Sequence, residues 1–280
     1  MIRPFDCFVG VDWSGDKNKW QKGLKIAMAH PGYSAPELVA GRGPQGKWSR
    51  SFAVDWVIDR ARSERVLIGL DFCFGFPECE VELDWNYLEQ LCSADENFYG
   101  GTFFRKPGTR HCHLINSRWL PRADYRSGRL RITERAASRV VGATPQSLFN
   151  AVGPAQVGPS SISGMRALYS LRGQSSRISI WPFDDIDDSR SVIVEVFPRY
   201  FPLLHKLSPK LSEHKALNSA LAAFDSAPVT VPPASEDEGD ALVTAAALRA
   251  LSKDRAFFNP PDDSVRGQGW IFGVPLGDST

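Results

Sequence analysis

Two short apolar runs, each closing on an aspartate, constrain this chain more than anything else in it. They are CFVGVDW at 7–13 and RVLIGLDF at 65–72. A continuous apolar run of this length, bounded by turn residues, reads as a buried strand. Ser14-Gly15-Asp16 turns the chain after the first run, and Gly75-Phe76-Pro77 stops the second. A carboxylate at the end of an apolar strand is costly to desolvate unless it is paired or bound to a cation. Asp12 alone, or Asp71 alone, reads equally well as a turn or cap residue. Two in the same setting favour a site.

The rest of the chain supplies partners for these strands. KGLKIAMAH (22–30) and ELVAG (37–41) read as two more strands, separated by a Pro31-Gly32 turn, and with the first run they make an antiparallel meander. Residues 49–64 change period: Phe52, Trp56, Val57 and Ala61 share a helical face, and Ser49 or Ser51 can cap its start. A helix is predicted over 161–172 through Ile162, Met165, Leu168 and Tyr169, with Gly173 as its stop. SVIVEVF (191–197) is a strand, and 212–224 is a helix through Leu217, Leu221 and Phe224. Ser235 and Glu238 fit a capping box that opens a last helix, DALVTAAALRAL at 240–251. No clean linker divides the chain. The expectation is one α/β domain over 1–280, with an irregular, arginine-rich and partly helical insertion at about 78–180.

Three further acids join the two aspartates. Glu195 interrupts its apolar strand and shares a face with Ile193 and Phe197. It is either salt-bridged, with Arg199 as a partner, or part of a site. Asp237 and Asp240 stand three apart at a helix start and so face the same way. Acids in a first turn complement the helix dipole, and Glu236 and Glu238 need no other role. The D-x-x-D-A step is more specific, because it directs two carboxylates along the face that packs on the sheet. Converging carboxylates call for a cation, and Mg²⁺ or Mn²⁺ takes oxygen ligands. A pair of such ions about 3.5 to 4 Å apart can activate a water and stabilise the leaving oxygen of a phosphodiester. Asp12, Asp71 and Asp240 are the expected metal ligands, with Asp237 and Glu195 in support.

The formal net charge is only +1, so any attraction to nucleic acid must be local. It has one place to reside. Between 105 and 139 stand Arg105, Lys106, Arg110 and seven further arginines, Arg135 and Arg139 among them, against only Asp124 and Glu134. Phe103, Phe104, Trp119 and Tyr125 are interleaved, as on a surface that tracks phosphates and stacks bases. The alternative is a solvated surface with Arg135 and Arg139 paired to acids elsewhere. His111-Cys112-His113 has no second ligand pair nearby, which argues against zinc. The five cysteines form no CxxC pair and read as reduced thiols of a cytoplasmic protein. The opening MIRPFDCFVGVDW does not read as a signal peptide, and no apolar run reaches the roughly 18 to 20 residues of a membrane span.

VGVDWSG, IGLDFCFGFP, VEVFPRYF and DEGDALVTAAAL, taken in that order, resemble the predicted RNase H-like nuclease family known as domain of unknown function 429. The likeness extends to TERAASRVVGATPQSLFNA (133–151) and GWIFGVP (269–275), and so over most of the chain. Glu134 stands where an aspartate is expected, and EVFPR lacks the usual histidine before its proline. The resemblance implies a mixed five-stranded sheet, with a three-strand meander and two further strands, flanked by helices. It implies Asp12, Asp71, Glu195, Asp237 and Asp240 as the site of a divalent-metal-dependent nuclease or phosphodiesterase. Two other functions suit the same residues: a binding or scaffold protein with a degenerate site, and an enzyme acting on a small phosphorylated molecule.

Overall fold

Alternation along the apolar runs decides what each face of the sheet meets. The computed structural model describes residues 3–77, 83–105, 129–151 and 156–276. The strands are β1 (Cys7–Asp12), β2 (Lys25–Ala29), β3 (Glu37–Val39), β4 (Val66–Leu70), β5 (Ile178–Ile180) and β6 (Ser191–Glu195). Among the described residues they form one mixed sheet of six strands, in the order β3-β2-β1-β4-β6-β5. β2 runs antiparallel to both β1 and β3, while β1, β4, β6 and β5 are mutually parallel.

Cys7, Val9, Val11, Ile68, Leu70 and Ile193 point to one face. It is covered by α1 (Arg50–Ser63), which Ser49 caps by accepting the Phe52 N–H at 3.1 Å, by α2 (Trp85–Leu91), and further along the chain by the helix Gly158–Gln174. Phe8, Leu67, Val192 and Val194 point to the other face, beneath the helices His214–Ala223 and Glu236–Leu251. α3 (Gly101–Arg105) and α4 (Ile132–Val141) lie within the region expected to be irregular, and Gly158–Gln174 is α5. The chain then continues through α6 (Tyr200–Leu204), α7 (His214–Ala223), α8 (Glu236–Leu251) and α9 (Asp263–Arg266).

Several expectations need correction. The sheet has six strands, not five, because Ile178–Ile180 pairs in parallel with β6 at the sheet edge. Three residues are too few to show an alternating pattern. α5 and β5 fall within the expected insertion, yet both belong to the packed core. α5 runs through Gly173 to Gln174, and the Ser175 N–H closes it on the Leu171 carbonyl, so Gly173 is not its stop. Half of the capping box forms at α8: Ser235 Oγ accepts the Glu238 N–H at 3.3 Å, while the Glu238 carboxylate turns away to Ala234 N and Lys25. Cys7, Cys73 and Cys92 are buried and free. No helix among the described residues is long and apolar enough to cross a membrane.

Candidate active site

The geometry of the site follows from two glycines. In the β1–β4 register Gly10 lies opposite Gly69, and each stands two residues before an aspartate. A period of two places Gly10 with Asp12, and Gly69 with Asp71, on the face under α8. A Cβ at Gly10 would lie 2.2 Å from the Ala241 carbonyl oxygen, and one at Gly69 would lie 3.0 Å from Leu248 and Thr244. The bare backbone of the two strands therefore lets α8 lie directly on the sheet. Its alanine-rich face completes the approach, with Ala241, Ala245, Ala246 and Ala247 all buried. Because α8 runs back from the strand ends, its first turns carry Asp237 and Asp240 over Asp12 and Asp71.

The electrostatics record that convergence. Burial, and then repulsion from Asp71, Asp240 and Asp237, holds the Asp12 carboxyl well above the usual carboxylate range, with Lys25 acting against it. Burial and the neighbouring Glu195 push Asp71 up to about 7. Burial, then Asp71, Glu236 and Asp237, raise Asp240, and Arg199 opposes them. Asp237 is raised chiefly by burial, although the Ser235 hydroxyl donates to it at 3.4 Å. No described residue donates a hydrogen bond to the side chains of Asp12, Asp71 or Asp240, and the buried Asp240 Oδ1 has no partner. One turn along α8 the buried Thr244 hydroxyl is likewise unpartnered.

Glu195 behaves differently. It pairs with Leu70 in the sheet, so its side chain leaves the opposite face from Asp12 and Asp71. There the fully buried Arg131 takes both of its oxygens, donating from Nη1 to Oε2 at 2.8 Å and from Nη2 to Oε1. The Phe74 N–H donates to the same Oε2 at 2.9 Å. Arg131 Nε also donates to Glu134 Oε1 at 2.9 Å, and Nη1 to the Gln268 carbonyl at 2.9 Å. The expected partner Arg199 is not the one found. Arg199 bears on Asp240 and Glu236 instead, while Arg131, one of the arginines between 105 and 139 expected on a basic surface, is a core residue. Glu236 and Glu238 also do more than face a dipole. Glu236 accepts from Leu211 N, Ser212 N and Ser212 Oγ, and Glu238 accepts from Lys25 Nζ at 2.8 Å, which ties β2 to the start of α8.

Two cavities open onto Asp71, Asp240 and Asp237, while Asp12 lines neither. The inner, about 250 Å³, is lined by Asp71, Asp240, Arg199 and the Arg131, Glu134 and Glu195 group. The outer, about 520 Å³, is lined by Asp237, Ser14, Lys17 and Tyr99. Trp13, Gln156 and Ser160 line both, so they form a single divided cleft. Exposed Arg105 reaches its rim, with its guanidinium 5.5 Å from the centre of the Tyr99 ring. Arg135 is half-buried and donates to the Leu130 carbonyl at 2.8 Å, and Arg139 is exposed on α4. Lys106, Arg110 and His111-Cys112-His113 lie outside the described residues.

Among the described residues, no three His, Cys, Asp or Glu side chains are arranged to enclose a metal ion by themselves. The donor set still suits a hard cation, which usually takes one or two carboxylates and completes its shell with water and phosphate. No family model, curated protein or solved structure matches the chain.

Proposed function

We propose that the protein is a divalent-metal-dependent nuclease or phosphodiesterase built on an RNase H-like sheet. One observation carries the reading. Asp12, Asp71 and Asp240 lie close enough to repel one another where two adjacent strands meet the start of α8, Asp71 and Asp240 line a cleft, and no described residue donates a hydrogen bond to any of the three. Buried carboxylates left in that condition are compensated by a cation or by protons. The strand order supports the fold: apart from the extra edge strand β5, it is a three-strand meander joined through β1 to two parallel strands, as the family resemblance implies.

Asp12, Asp71 and Asp240 would hold Mg²⁺ or Mn²⁺, which when bound lowers the pKa of a coordinated water and stabilises charge on a phosphodiester. Asp237, held by Ser235, faces the outer chamber, where substrate would enter. Arg199 at the inner chamber and Arg105 at the rim are placed to meet phosphate oxygens. Glu195 stays locked to Arg131 and supports the site by fixing the loop after Asp71 through Phe74 N.

The test is cleavage of single-stranded and structured DNA and RNA with Mn²⁺ or with chelator. Wild-type protein should cleave only with metal, and Asp12→Asn should lose at least roughly a hundredfold with no fall in its metal-free unfolding midpoint. Undiminished cleavage by Asp12→Asn would remove the reading.

A further inference from the structure

We propose that a second pocket, at the other end of β1, binds an organic anion with an apolar body. This pocket encloses about 650 Å³ between the start of β1, the β2–β3 turn and the end of α8. Phe8, which lines it, is four residues from Asp12 along the strand, or roughly 13 Å at ordinary strand rise. The pocket is thus independent of the carboxylate cleft.

Its floor is aromatic. Phe5, Phe8 and Phe258 present buried rings, with Phe5 centred 6.2 Å from Phe8 and 6.0 Å from Phe258. Every charged residue on its wall is cationic: Arg3, Arg249, Lys253 and Arg255 line it, and no acidic residue does so among the described residues. Arg249 is the telling member. It is only 4 % exposed. Its guanidinium donates to the His30 carbonyl at 2.9 Å, to Ser34 Oγ at 3.2 Å and to the Ser34 carbonyl at 2.9 Å. All three acceptors are neutral, and neither Arg249 nor Arg255 forms an ion pair among the described residues. The pairs made by Arg3 with Asp6 (3.7 Å) and by Lys253 with Asp225 (3.8 Å) are long and exposed, so they contribute little.

Cations at a helix C-terminus complement its dipole. That accounts for charge near Ser252, but not for a phenylalanine floor beneath it. Asp225 acts on Arg249 from a distance but forms no ion pair with it; a buried guanidinium in that condition beside an apolar cavity is matched by a ligand that brings the anion and fills the cavity. Ser252 is the single uncharged polar side chain on the wall among the described residues, and its hydroxyl already donates to the Arg249 carbonyl at 3.1 Å. Little remains to read the polar edges of a nucleobase. The favoured ligand is an alkyl or aryl chain ending in a carboxylate or similar anion.

Fluorescence titration with anilinonaphthalene sulfonate tests this on the full chain. Wild-type protein should bind the dye at one saturable site, and Asp12→Asn should bind it equally well. Lys253→Glu combined with Arg255→Glu, both at exposed positions, should weaken binding roughly tenfold at an unchanged unfolding midpoint. Arg255→Glu alone should give a smaller loss in the same direction. Decanoate should displace the dye, whereas decanol and adenosine monophosphate at equal concentration should not. Affinity within twofold of wild type in the double variant overturns the proposal. Displacement by decanol as effective as by decanoate removes the anion from it, and displacement by adenosine monophosphate removes the apolar body.

Discussion

Two groups of buried acids sit on opposite faces of the same strand ends, and they have opposite fates. Glu195 and Glu134 share Arg131, and with Phe74 N, Arg131 N and Gln268 O they form a closed set. Asp12, Asp71 and Asp240 have no donor among the described residues; burial raises all three, with repulsion from the other aspartates adding to it at Asp12 and Asp240 and from Glu195 at Asp71. The first group is architecture: it ties β6, the loop after β4, α4 and the segment at Gln268 into one unit. The second is a local cost that a fold retains when something outside the chain offsets it. The glutamates are the more deeply buried, at 1–2 % exposure against partly buried aspartates, yet it is the aspartates that lack a partner. The presence of an arginine separates the two groups.

The largest break in this comparison comes from Arg131→Met. It leaves two carboxylates buried without their cation and should cost about 3–5 kcal/mol, read as a fall in the urea midpoint. A loss below about 1 kcal/mol would mean that the pair is not the keystone described. Gly10→Ala comes next. Its methyl group meets the Ala241 carbonyl at 2.2 Å, so α8 must shift, at about 1–3 kcal/mol, and metal affinity should fall with it. An unchanged midpoint would mean that the helix has room to spare.

Asp71→Asn should have the opposite sign. With the folded Asp71 pushed up to about 7 from the ordinary 3.8, the native state binds more protons than the unfolded chain across that window. Metal-free stability must therefore fall as pH rises from about 4 to about 7. The asparagine should flatten that slope and stabilise the protein at pH 8 by on the order of 1–2 kcal/mol. A wild-type pH profile that rises through this window would contradict the open state of the cluster. Smallest is Lys25→Met, which removes a half-exposed partner of Glu238 and should cost under about 1 kcal/mol. Its use is to show whether Lys25 moderates Asp12: if so, the pH dependence of stability steepens although the midpoint hardly moves.

The meander, α1, β4, β6 and the last two long helices were legible because each has a full period of apolar residues, and the strands end where turn residues begin. β5 was not: β3 is just as short and also lies at an edge, but the Pro31-Gly32 turn couples it to a strand already read, whereas β5 pairs in parallel with β6 and has no hairpin turn to announce it. The aspartates were legible from the cost of ending an apolar run on a charge. Their separation from Glu195 was not, although alternation along β6 places it with Ile193, away from α8. The partner of Glu195 lies 64 positions earlier in an arginine-rich stretch where nothing marks Arg131 apart from its neighbours. One signal was present and unread: GVD at 10–12 and GLD at 69–71 repeat the same G-x-D step. A glycine two places before each strand-end acid says that something must pass very close above it.

That close passage has a consequence for how the molecule comes into being. Asp12 and Asp71 leave the ribosome well before their complement on α8, Asp240, which follows 228 residues after Asp12 and 169 after Asp71. At about 5–20 residues per second the interval after Asp12 amounts to some tens of seconds. For the last 169 residues of it the nascent chain presents two glycine-backed strands with no lid. Hydrophobic surface is open then to any chaperone, but an assembled carboxylate centre is not open to any substrate. The proposed metal chemistry would begin only once α8 has docked.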